Sequence, residues 1–65
     1  MIDEDFYQRT FLNAGEIDLE IEKLEKEEDS YDKRSKEYKE WKNKINHLIM
    51  KFNQEVGHKA LKIYK

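Results

Sequence analysis

His47 and His58 are the two histidines of this 65-residue chain and the natural place to look for chemistry. They stand eleven residues apart, close to three helical turns, which puts both on one helix face but about 16 Å apart along the axis. They cannot share a metal. His58 follows Glu55 by three residues, a spacing at which the two can meet on a helix, but a lone pair on a polar face is a solvated contact rather than a ligand set. Carboxylate pairs such as Glu16 with Glu20 and Asp18 with Glu22 have a spacing that acid–base chemistry could use. A hydrolase, however, needs them in a cleft where burial separates their acidities. Ser30 and Ser35 have no histidine nearby in sequence and suit helix capping better than nucleophilic attack. The chain has no cysteine, which excludes disulfides, thiolate zinc sites and thiol catalysis, and its two glycines are too few for a phosphate-cradling loop. The expectation is a non-enzymatic protein without metal, cofactor or small-molecule substrate.

The basic residues offer a second kind of chemistry. Lys33, Lys36, Lys44, Lys51, Lys62 and Lys65, with both histidines, form an outer stripe on the second half of the chain that could track phosphates. A nucleic-acid-binding regulator is therefore the alternative reading. Against it stand only two arginines, an overall charge of −2 and an acidic first half that would repel phosphates within a Debye length of about 8 Å. Tyr38, Trp41 and Phe52 suit a core better than a stacking platform. No apolar run approaches the roughly 20 residues that cross a bilayer, and the opening Ile2-Asp3-Glu4-Asp5 is acidic where a signal peptide is basic. A cytoplasmic protein with no membrane partner is expected.

The elements that must position these residues are helical. Proline is absent, 43% of residues are charged, and apolar side chains recur at alternating four- and three-residue steps from Thr10 through Ile17, Ile21 and Leu24 to Ile45, Ile49, Phe52 and Ile63. Glu28, Ser35 and Lys42 interrupt that seam in the middle, and Asp29, Ser30, Asp32 and Ser35 are all capable caps. The spacing predicts one all-α domain, an antiparallel coiled-coil-like hairpin with a helix over about 3–28, a turn over about 29–35 and a helix over about 36–63. A continuous rod of about 90 Å is the competing form. Folding near residue 33 pairs Leu24 with Trp41, Ile21 with Ile45, Ile17 with Leu48 and Ile49, Ala14 with Phe52, Thr10 with Val56, and Phe6 with Ala60. Asn13-Ala14-Gly15 and Gly57 are expected to loosen the two arms without ending them.

Charge divides the arms. Residues 1–32 carry twelve acids against three bases, and residues 33–65 carry ten bases against three acids. That split favours antiparallel pairing of unlike arms and disfavours parallel pairing of like ones. Asp3, Glu4 and Asp5 at the start, and Lys59, Lys62 and Lys65 at the end, complement the helix dipoles. Phe11, Leu12, Leu19, Met50, Leu61 and Tyr64 fall outside the seam. Two helices cannot cover two apolar faces, so these six are read as a self-association or partner face near the open end of the hairpin. A homodimer follows, as a four-helix bundle or an end-to-end pair. Its outline is that of small helical-hairpin regulators, a likeness of shape without a shared motif. The function expected is that of a protein-interaction module serving as adaptor, inhibitor or assembly factor.

Overall fold

The computed structural model describes residues 4–65; Ile2 and Asp3, counted above with the acidic first turn, lie outside the described residues. Three helices follow one another: α1 (Glu4–Gln8), α2 (Ala14–Glu27), which runs into a 3-10 turn at Glu28–Ser30, and α3 (Lys36–Val56).

The first arm is therefore two helices rather than one, and Asn13 is the reason. Its backbone is extended and its side-chain oxygen accepts the Glu16 N–H at 3.0 Å. The Glu16 carboxylate in turn accepts the Leu12 N–H at 3.0 Å. Two donors at the start of α2 are thus satisfied reciprocally, which fixes where the helix begins. A Cβ at Gly15 would stand 3.1 Å from the capping oxygen of Asn13, so glycine keeps that oxygen clear.

The central turn forms without glycine. Ser35 caps α3, its Oγ accepting the Tyr38 N–H at 3.2 Å while donating to the Asp32 carbonyl at 2.6 Å. The Asp32 carboxylate accepts the Arg34 N–H at 2.9 Å. Side-chain acceptors do here what a left-handed residue does elsewhere. That residue appears instead at the far end of α3. Gly57 has φ 82°, the only positive φ among the described residues, and the N–H groups of Gly57 and His58 both donate to the Asn53 carbonyl at 2.9 and 3.2 Å. Glycine takes this conformation without a Cβ penalty, and the bonds close the helix. The second helix consequently stops at Val56 and not near residue 63.

Between these caps, α2 and α3 pack antiparallel. Ile17 and Ile21 of α2 meet Trp41, Ile45, Leu48 and Ile49 of α3, all buried. Each such side chain contributes about 1.5–3 kcal/mol relative to exposure. The Leu24–Trp41 layer is closed by the indole N–H donating to the Leu24 carbonyl at 2.6 Å. The residues of the inner layers share one buried cluster, as the sequence pairing requires. The outer layers depart from that pairing, because both chain ends turn back: Phe6 packs beside Lys44 and His47 instead of Ala60, and the seam residues Val56 and Ile63 are exposed. Overall dimensions of 33 × 23 × 17 Å are those of a folded-back chain and exclude the rod.

Candidate functional site

Helix α3 is the platform on which everything else is laid. On one side α1 is held by rings. The His47 ring lies edge-to-face with Tyr7 at 4.9 Å and tilted against Phe6 at 6.4 Å, and Phe6 in turn meets Tyr7 at 5.4 Å. Lys44 covers the Phe6 ring at 5.3 Å. Burial, reinforced by the nearby Lys51 charge, holds the His47 imidazole below its ordinary pKa, while a hydrogen bond to the Tyr7 backbone works in the opposite direction. Its Nε2 is buried without a hydrogen-bond partner. A neutral ring suits this setting, since a second protonated nitrogen would have no acceptor. His58 lies beyond the helix in the terminal segment. The two histidines are therefore not on one helix face, and no group of three His, Asp or Glu side chains able to hold a metal occurs among the described residues.

On another side of α3 the segment 57–65 returns along the helix, and asparagines hold it. The Asn53 side chain accepts the N–H groups of Ala60 and Leu61 at 3.1 and 3.0 Å and donates to the Leu61 carbonyl at 3.0 Å. Asn46 does the same for Tyr64, accepting its N–H at 2.7 Å and donating to its carbonyl at 2.8 Å. A primary amide carries both an acceptor and a donor, so one side chain can satisfy both main-chain groups of one residue. The Tyr64 ring then meets Trp41 edge-on at 5.2 Å. Trp41 is also stacked on Tyr38 at 5.3 Å and tilted against Tyr31 at 6.5 Å. Burial, with the Glu25 and Glu28 carboxylates and Tyr38 close by, pushes the Tyr64 phenol above its ordinary pKa.

The six residues expected to form one association face are divided by this arrangement. Phe11, Leu61 and Tyr64 pack against the core, so the chain itself covers three of the six side chains assigned to a partner. Leu12, Leu19 and Met50 stay exposed, at 87%, 59% and 61%. Leu19 is two residues from both Ile17 and Ile21 and so lies opposite the buried stripe of α2. Met50 stands roughly 155° from the centre of the buried stripe of α3. With the two helices packed through those stripes, Leu19 and Met50 look out from opposite sides and do not form one patch.

The basic stripe is divided as well. Lys33 and Lys36 are exposed around the start of α3. Lys44 and Lys51 lie along it, the latter 6.0 Å above the Phe11 ring that Arg9 also covers at 5.4 Å. Such placements favour the cation modestly and keep its stem on the ring. Lys62 and Lys65 are exposed on the returning segment, off the helix that was to align them. Arg9 pairs with Glu20 at 3.2 Å, as Lys23 does at 3.5 Å. A shallow open cavity of about 410 Å³ lies at the break between α1 and α2, lined by Arg9, Thr10, Phe11, Lys51 and Gln54.

No family model, curated protein or solved structure matches the chain. Among the described residues no helix is long and apolar enough to cross a membrane. Sequence reasoning missed Asn46 and Asn53. Their signal was present as two amides seven residues apart, bordering the apolar stripe of a helix that otherwise carries lysines.

Proposed function

We propose that this chain works by binding a protein and not by catalysis, through the outer face of α2. Leu19 on that face and Leu12 just before the helix cap are exposed, and Glu16, Glu22 and Lys23, the neighbours of Leu19 at three and four residues, make its surroundings mainly acidic. The observation that supports the reading is Leu12. An apolar residue just before a helix cap ordinarily folds onto the residue four positions into the helix, which here is Ile17, yet Leu12 is 87% exposed. An apolar pair in an acidic setting suits an amphipathic helix with basic flanks. Such a helix could belong to another protein or to a second copy of this chain, whose α3 is basic, and a homodimer is one form the interaction could take.

Sedimentation equilibrium and paired affinity capture test this, using wild type and the Leu12→Glu/Leu19→Glu variant. Both positions are exposed, so the variant is expected to keep the wild-type circular dichroism and lose the partner or the self-association. An identical set of captured proteins and an unchanged mass for the two would overturn the assignment of this face.

A further inference from the structure

The two asparagines of α3 tie down a chain end by its main chain, each engaging both polar groups of one residue. Asn46 and Asn53 are seven residues apart, about 10.5 Å along a helix. Leu61 and Tyr64, whose N–H and C=O groups these amides engage, are three residues apart, so the two asparagines grip the returning segment at two points. Side-chain selection is added by Trp41, which meets the Tyr64 ring in a T-shaped contact, and by the apolar core against which Leu61 packs. Main-chain hydrogen bonds for affinity with alternate pockets for selectivity are how extended peptides are recognised generally. The ligand sits in this groove in cis, joined by a pivot at Gly57 whose left-handed φ of 82° turns the chain back.

We propose that the groove along Asn46 and Asn53 also takes the 57–65 segment of a second copy of this chain, giving a tail-swapped dimer. The occupant is identified by the groove itself, since an identical segment brings an identical Leu61 and Tyr64 and an identical set of bonds. The topology allows it. A segment released from the turn at Gly57 continues in the direction of its own α3, and the groove accepts it running antiparallel to the host α3. The two α3 helices therefore meet end to end, antiparallel about a two-fold axis, and each donates its segment to the other. Exchange of an identical element is a low-cost route to dimers because no new contact has to be created. The pivot sets the balance. The closed form needs a left-handed residue at 57, whereas the exchanged form can continue the helix through that position, so Gly57→Ala favours exchange. This surface lies on α3 and is independent of Leu12 and Leu19.

A complementation experiment tests the exchange. One full-length chain carries Leu61→Asp/Tyr64→Asp, leaving the groove intact without a usable segment; the other carries Asn46→Leu/Asn53→Leu, leaving a usable segment without a groove. Each alone is expected to sediment at the chain mass of 8.0 kDa and the mixture at twice that, in a one-to-one complex. Two folded variants that stay monomeric on mixing would overturn the proposal. Should either variant lose its helical circular dichroism, Gly57→Ala decides. Its dimerisation is expected to strengthen roughly tenfold over wild type, given the cost of a left-handed non-glycine residue. In a sample mixing two isotope labels, the Tyr64 ring of one copy should lie against Trp41 of the other. A Gly57→Ala chain that stays monomeric up to concentrations on the order of 1 mM, where a short tether no longer favours the cis segment, or whose dimer lacks that contact, overturns it equally.

Discussion

The centre and the two ends of this molecule are held by different physics. Between Ile17 and Leu24 on one side and Trp41 and Ile49 on the other, the contact is apolar and largely buried. At the ends, α1 rests on aromatic edges and a histidine, and residues 57–65 rest on the two amides of Asn46 and Asn53. The centre depends on non-directional burial, which scales with area. The ends depend on a few directional contacts, each worth on the order of 1 kcal/mol. A small chain in which both kinds occur should lose its ends long before it loses its centre.

The sharpest way to break that contrast is at the centre itself. Ile45→Ala removes a fully buried side chain and should cost about 2–5 kcal/mol, enough in a chain this small to unfold much of the population in a urea titration followed by circular dichroism. The next largest effect belongs to an end. Asn53→Ala removes three hydrogen bonds to Ala60 and Leu61 and should weaken docking of the segment by about 1–3 kcal/mol. Amide exchange should then rise at Leu61 and Tyr64 while Ile45 and Leu48 stay protected. Equal loss of protection at both sites would abolish the distinction between centre and ends. Ser35→Ala should cost about 1 kcal/mol, read as a small uniform drop in the urea midpoint, because that cap serves the helix both regions share.

The smallest expected effect is a pH effect confined to α1. Burial holds the folded-state pKa of His47 below the unfolded value of 6.5, so the folded state binds fewer protons than the unfolded one. The stabilisation is complete above 6.5 and is lost as pH falls through the folded-state value. As pH falls below 6.5 the resonances of Phe6 and Tyr7 should move toward those of an undocked segment, with Trp41 and Ile45 unmoved. His47→Gln should remove the dependence.

What the sequence made legible follows the same division. The inner layers, the start of α3 at Lys36 and the polar turn could all be read, because burial on one helix face leaves a periodic trace. The ends left a misleading one. Thr10 and Ile63 keep the heptad phase outside any helix, and Val56 keeps it as the exposed last residue of α3; the interval persists where the chain has stopped being helical or paired. The decisive marks were local. Asn13 followed three residues later by Glu16, and Gly57 near the end of a periodic run, are start and stop signals, and they outweigh periodicity because an unsatisfied helix end is costly whatever the seam prefers. The candidate site was harder. Phe11, Leu61 and Tyr64 were recognisable as apolar residues needing cover, but their spacing could not show that the covering was done by the chain itself. The amides that bind main chain left only their seven-residue spacing, Asn46 to Asn53, with nothing apolar to mark it.

Trp41 is the only tryptophan in the chain, and it touches both regimes, through its N–H to Leu24 and its T-shaped contact with the Tyr64 ring. The molecule thus carries a built-in optical gauge. Its emission should shift to longer wavelength in two separable steps on gradual denaturation, a first small one when Tyr64 lifts away and water reaches the indole, and a second with the collapse of helical signal.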